Sequence, residues 1–152
     1  MKELLARCES RGVTLACAES LTAGLVCATI ADVEGASAVL LGGIVAYATD
    51  AKRDVLGVDA QVLALDGPIA ASTALEMARA VRVRFGATLG LATTGAAGPT
   101  GQDGHAPGEV YVALSDGKVE LVRHLTLIGE RNEVRSAAAA AVFDLVREFL
   151  GG

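Results

Sequence analysis

Apolar residues recur along the chain with two different rhythms. Leu4, Leu5 and Cys8 have helical spacing within Lys2 to Glu9, and Arg11-Gly12 follows as a natural C-cap. Val13 to Ala18 is a short apolar run that predicts a buried strand. Leu21 to Ile30 returns to helical spacing, with Ser20 where an N-cap would sit. Ala38 to Ala48 is uncharged and rich in Val, Leu and Ile, but Gly42-Gly43 interrupts it. That predicts one or two strands with a bulge or a close backbone approach at the glycines. Asp50 to Leu56 and Ala60 to Leu65 predict short helices, and Asp66-Gly67-Pro68 predicts a turn.

The second half follows the same logic. Ala70 to Phe85 is helical, with Leu75, Ala78, Val81 and Phe85 on one stripe. Thr88 to Thr94 predicts a strand. Gly95 to Gly108 is a loop holding five glycines and two prolines. Glu109 to Leu114 and Val119 to Leu127 predict strands joined at Ser115-Asp116-Gly117-Lys118, a hairpin signal. Glu130 to Leu150 predicts a long helix with Val134, Ala138, Ala141, Leu145 and Phe149 inward. Strands and helices alternate early and a hairpin comes late. The pattern predicts an α/β fold, a layered single domain over 1–152 with a mixed sheet.

Composition sharpens this picture. The chain has 152 residues, enough to bury roughly two-thirds of the surface its unfolded form exposes. Aromatic residues make up 3% and Trp is absent, so the core is built from Ala, Val, Leu and Ile, which let helices approach sheets closely. A net charge of -5 argues against a dedicated duplex-DNA binder. No apolar run reaches the roughly 20 residues a bilayer needs, and no signal peptide opens the chain. Cys8, Cys17 and Cys27 form no C-x-x-C pair and fit buried thiols in a reducing cytoplasm. His105 and His124 have no metal-ligand spacing around them, so no metal site is expected.

Three constellations bear on chemistry. Ala18-Glu19-Ser20-Leu21-Thr22-Ala23-Gly24 is a strand-to-helix turn. Ser20 there is either a plain N-cap or a nucleophile beside the free N–H groups of a helix start, which can hold an oxyanion. A nucleophilic Ser needs a base, and Lys substitutes for His only if burial or neighbours lower its pKa from about 10.4. Lys52 follows the uncharged segment, with Tyr47 five residues before it, placed to hydrogen-bond the amine or the hydroxyl. The alternative is a solvated helix Lys and a core Tyr. Thr93-Thr94-Gly95-Ala96-Ala97-Gly98-Pro99-Thr100-Gly101 is either a structural loop or a bare backbone for a phosphate or a flat ring, and it is neither a P-loop nor G-x-G-x-x-G. Arg131 and Arg135 share a helix face. Either Glu130 and Glu133 compensate their charge, or a phosphate sits between the guanidinium groups and the helix start.

Taken in order, Ala18-Glu19-Ser20 with Thr22 and Gly24, Gly42-Gly43-Ile44-Val45-Ala46-Tyr47, Ala51-Lys52 and Leu56-Gly57-Val58 resemble the C-terminal domain of the CinA (competence/damage-inducible) family. Thr94-Gly95-Ala96-Ala97-Gly98-Pro99, Pro107-Gly108-Glu109-Val110-Tyr111, Gly129-Glu130-Arg131 and Val134-Arg135 extend the resemblance over nearly the whole chain.

The resemblance implies a layered α/β/α domain, usually oligomeric, and hydrolysis of the carboxamide of nicotinamide mononucleotide to nicotinate mononucleotide and ammonia. It implies a Ser/Lys amidohydrolase without metal or cofactor, a homo-oligomer acting on a small nucleotide in the cytoplasm; the charge and the short apolar runs predict no nucleic-acid or membrane partner. Carried over by motif, Ser20 is the nucleophile and Lys52 the base, with Tyr47 assisting and amides near Thr22 and Ala23 holding the oxyanion. Glu19, Thr22, Ala23, Gly24, Gly42, Gly43, Thr94, Gly95, Ala97, Gly98, Arg131 and Arg135 are then the expected substrate-binding positions. With so few residues before the Ser20 motif, the extra N-terminal domain of many members is not expected within this sequence. It departs from the family's usual Cys-Thr-Gly-Gly at Leu21 and Ala23, where a Cβ is expected to crowd the site. It also has Ile69-Ala70 in place of Val-Ser, and Ala96 where a larger apolar residue is common. The alternative reading is a catalytically weak or inactive nucleotide-binding or protein-interaction module linked to competence or DNA damage.

Overall fold

The computed structural model describes residues 1–151. Its strands are β1 (Leu15–Glu19), β2 (Leu40–Val45), β3 (Leu89–Gly95), β4 (Glu109–Ser115) and β5 (Glu120–Thr126). Its helices are α1 (Lys2–Ser10), α2 (Leu25–Ala31), α3 (Thr49–Ala51), α4 (Ala60–Asp66), α5 (Ala71–Phe85) and α6 (Arg131–Phe149). A wider helical turn, Lys52–Leu56, continues α3. The five strands form one sheet in the order β2-β1-β3-β4-β5. The first three are parallel, and β4 and β5 add an antiparallel hairpin. This is the mixed α/β sheet the pattern predicts.

The pleat separates large from small side chains. Leu15 and Cys17 of β1, Leu89 and Leu91 of β3 and Val110, Val112 and Leu114 of β4 pack against α1, α2 and α6. Ala16, Ala18, Ala92 and Ala113 point the other way, onto Ala74, Met77, Ala78 and Val81 of α5. The alanine face lets α5 sit close. A Cβ on Gly90 would fall inside van der Waals contact with the Ala78 carbonyl. The inward stripe of α5 is therefore centred on Ala74, Met77, Ala78 and Val81, while Leu75 and Phe85 are only half-buried. In α6, Ala139, Val142, Phe143 and Val146 join the expected Val134, Ala138 and Leu145, and Ala141 and Phe149 lie at the margin.

Two predicted details change. The helix after β1 begins at Leu25 rather than Leu21, and its N-cap is Gly24, at φ 96°. Ser20 caps nothing. In β2 the register shifts beside Leu41, and both glycines are close-packed. A Cβ on Gly42 would meet the Phe85 ring, and one on Gly43 would meet the Cys27 sulfur and the Cys17 carbonyl. The crossovers from β1 and into β3 lie on opposite faces, α2 on one and α5 on the other. That opens a crevice at the carboxyl ends of two adjacent parallel strands, the usual ligand position in such sheets. Among the described residues no helix is long and apolar enough to cross a membrane.

Candidate active site

The crevice is shaped by a carboxylate that ends β1. Glu19 is buried, and its oxygens accept from the backbone N–H groups of Gly24 (2.9 Å), Val26 (3.0 Å) and Cys27 (2.9 Å). Three of the orphan donors of α2 are thereby satisfied. That is why α2 starts late and why Ser20 is released from a capping role. The Ala23 N–H is taken by the Ser20 carbonyl (3.1 Å) and so is not free for an oxyanion. The amides of Leu21 and Thr22 donate to no acceptor among the described residues. The Thr22 hydroxyl shares a 2.7 Å hydrogen bond with that of Thr93, tying the turn to β3.

Ser20 and Lys52 meet, although 32 residues separate them. Lys52 Nζ donates to Ser20 Oγ at 3.0 Å and to the carbonyl of Ala46 at 3.2 Å, with the Tyr47 carbonyl at 3.5 Å. An ammonium has three donors, so these acceptors account for all of them. Lys52 is 2% exposed and Ser20 6%. Burial lowers the Lys52 pKa to about 8, against a smaller upward pull from the charge of Asp103. A lysine near 8 has a usable neutral form at physiological pH, as a general base needs.

Ser20 opens onto a cavity of about 240 Å³. Tyr47, Gly95, Ala97, Gly98 and Arg131 line it, with Ala96, Thr100 and Gly101 of the same glycine-rich loop, as do Leu21 and Gln102, which sequence reasoning did not name as binding positions. The turn containing Gln102 closes on itself through paired backbone bonds with His105 around Asp103-Gly104, both at positive φ, which is a local Asp-Gly turn signal. Arg131 donates to the Gly98 carbonyl (2.6 Å) and to the Tyr47 hydroxyl (2.7 Å). The Tyr47 side chain thus pairs with Arg131, and Lys52 sees only the Tyr47 carbonyl.

Other expected positions have structural roles. Arg135 donates to the carbonyls of Leu21 (3.1 Å) and Thr22 (2.8 Å), pinning the nucleophile turn, and does not line the cavity. The start of α6 carries a reciprocal Glu130–Glu133 capping box, which places two carboxylates at the helix start beside the arginines. The Thr94 hydroxyl donates to the Pro68 carbonyl (2.6 Å). Ala23 is exposed and off the cavity, so its Cβ crowds nothing there. Gly24 serves as a cap, and Gly42 and Gly43 serve sheet packing. Among the described residues no group of three or more His, Cys, Asp or Glu is arranged to hold a metal ion.

A sequence model of the CinA C-terminal domain matches residues 1–150. A CinA-like protein from Frankia casuarinae is 46% identical over 142 residues, covering 93% of this chain and 33% of the relative. The chain thus spans about a third of that curated relative's length. A solved CinA superfamily protein from Klebsiella pneumoniae superposes with a TM-score of 0.95 at 27% identity, covering 98% of this chain and 94% of the other. The competence/damage inducible protein CihA from Agrobacterium tumefaciens superposes with a TM-score of 0.90 at 32% identity, covering 99% and 95%.

Proposed function

The chain belongs to the CinA C-terminal domain family, and from that premise we propose that it hydrolyses the carboxamide of nicotinamide mononucleotide to nicotinate mononucleotide and ammonia. The observation that carries the reading is the 3.0 Å contact between Lys52 Nζ and Ser20 Oγ, both buried, with Ser20 opening onto the cavity. Neutral Lys52 takes the hydroxyl proton as Ser20 Oγ attacks the carboxamide carbon. Its two remaining N–H groups stay on the carbonyls of Ala46 and Tyr47. The free amides of Leu21 and Thr22 are the donors assigned to the oxyanion. The Lys52 ammonium returns the proton to the departing ammonia. Water, deprotonated in turn by Lys52, then attacks the ester carbon, and the Lys52 ammonium returns that proton to the departing Ser20 Oγ as nicotinate mononucleotide is released. The Gly95–Gly101 backbone takes the ribose and ring. The Arg131 donors not used on Gly98 and Tyr47 take the phosphate.

The same reading makes the protein a cytoplasmic homo-oligomer, and the exposed Leu41 and Val45 on the edge strand β2 support self-association. The test follows ammonia and nicotinate mononucleotide from nicotinamide mononucleotide, with Ser20→Ala in parallel. Turnover in the wild type with at least a roughly thousandfold loss in Ser20→Ala is expected. Binding without turnover would replace this reading with a non-catalytic nucleotide-binding module. Neither binding nor turnover would reject the substrate.

A further inference from the structure

One cluster of titratable side chains lies beside the cavity and takes no part in the mechanism above. Its centre is Glu109, the first residue of β4. One carboxylate oxygen lies 3.0 Å from Nδ1 of His105, in the glycine-rich loop. The other lies 3.2 Å from Nε2 of His124, on β5. The Tyr111 hydroxyl donates weakly to this second oxygen at 3.5 Å. The Tyr111 ring stacks on the His124 ring, 4.4 Å between centroids and 7° from parallel. Three segments therefore converge on one carboxylate.

His105 also shapes the cavity wall. The Gln102 N–H donates to the His105 carbonyl (3.0 Å), and the His105 N–H donates to the Gln102 carbonyl (2.9 Å). A Cβ on Gly101 would collide with the His105 carbonyl. Thr100, Gly101 and Gln102 face the cavity, and Asp103, at the tip of the turn, is the acid whose charge bears on Lys52. Moving His105 moves this wall.

We propose that Glu109, His105 and His124 form a pH-responsive clamp that positions the Gly101–His105 wall of the Ser20 cavity and tightens it as the imidazoles gain protons. The identity of the ligand rests on the function proposed above; the clamp itself does not. A neutral imidazole can donate one hydrogen bond to the carboxylate. Histidine is the side chain that exchanges a proton within the ordinary pH range, and a protonated imidazole makes each contact a charge-assisted ion pair, shorter and stronger than the neutral bond. Glu109 remains ionised throughout, because the His105 hydrogen bond and the charges of His105 and His124 hold its carboxyl below the usual range against a smaller opposing effect of burial. The other titratable group at the rings is Tyr111 on β4, stacked on His124 and hydrogen-bonded to Glu109.

Two readouts test the clamp. Amide hydrogen exchange at Gln102 and His105, corrected for intrinsic rates, is expected to be roughly fivefold more protected at pH 5.8 than at pH 8.0. Glu109→Gln should make that protection independent of pH. His124→Phe keeps a ring on Tyr111 but cannot titrate, and should leave a smaller pH effect. His105→Gln, an independent variant, should also abolish it. In steady state, the KM for nicotinamide mononucleotide should fall with acidification in the wild type and stay flat in Glu109→Gln, while kcat follows the lysine in both. Equal protection at both pH values in the wild type would overturn the clamp, as would a pH effect that survives Glu109→Gln. Because exchange needs no substrate, absence of turnover would reject the proposed reaction and leave the clamp to be decided by exchange alone.

Discussion

Ala23 occupies a backbone conformation that suits glycine, with φ 49°. A left-handed L-residue pays roughly 1–2 kcal/mol for the contact between Cβ and carbonyl. Glycine avoids that cost but loses more entropy on folding. The Ala23 side chain is exposed and touches no cavity atom, so no packing offsets the strain. Ala23→Gly is therefore expected to stabilise the protein by about 0.5–1 kcal/mol, read as a higher midpoint in urea at unchanged slope. Turnover should stay within about twofold, because the Ser20–Lys52 contact does not pass through that Cβ. A lower midpoint would show that the turn needs the methyl group. The neighbouring Glu19 marks a limit of reading by residue type. A Ser before an apolar helix looks like its N-cap, whereas here the carboxylate one residue earlier reaches past it to three amides. Two oxygens on a longer arm satisfy more donors than one hydroxyl.

At the scale of elements, α5 is held by what the facing strands lack. Ala16, Ala18, Ala92 and Ala113 leave room for it, and Gly90 lies against the Ala78 carbonyl. Gly90→Ala adds one methyl group where backbone stands, and neither a strand nor a helix can give way cheaply. It is expected to destabilise by roughly 1–3 kcal/mol, measured by equilibrium denaturation. Wild-type stability in that variant would mean that α5 can lift from the sheet. The rhythm of apolar residues was enough to find every strand and nearly every helix of this layer, because burial and period are written in the same residues. It placed Leu75 and Phe85 on one stripe of α5 with Ala78 and Val81 by their spacing, and both pack half-buried at its edge. On an alanine-lined sheet the closest-packed positions go to the smaller Ala74 and Ala78, which apolar spacing alone does not single out. Gly42-Gly43 announced close packing correctly, but the partners Phe85 and Cys27 come from tertiary structure that no local pattern contains.

At the scale of the whole molecule, the fold does two things to Lys52 that neither its neighbours nor its spacing reveal. It carries the amine across 32 residues to Ser20, and it buries it to 2% exposure. Motif likeness could name the pair, but their contact needs the parallel pairing of β1 with β2, which sets Glu19 beside Val45 and brings the carboxyl ends of both strands together. Burial disfavours the ammonium, so the folded protein holds Lys52 near pKa 8 rather than 10.5. The base is the neutral form, which grows as pH rises. At pH 7 only about a tenth of the molecules carry it, given a value of about 8. The kcat for amide hydrolysis should therefore fall about tenfold per pH unit below 8 and level off above it. The charge of Asp103 works against burial and raises the Lys52 value. Asp103→Asn removes that support for the ammonium, so the whole kcat profile should move to lower pH, with more activity at pH 7 and the same plateau. A profile flat down to pH 5 would exclude a lysine base. A shift toward higher pH in Asp103→Asn would mean that this acid acts on the wall of the cavity rather than on the charge of the amine.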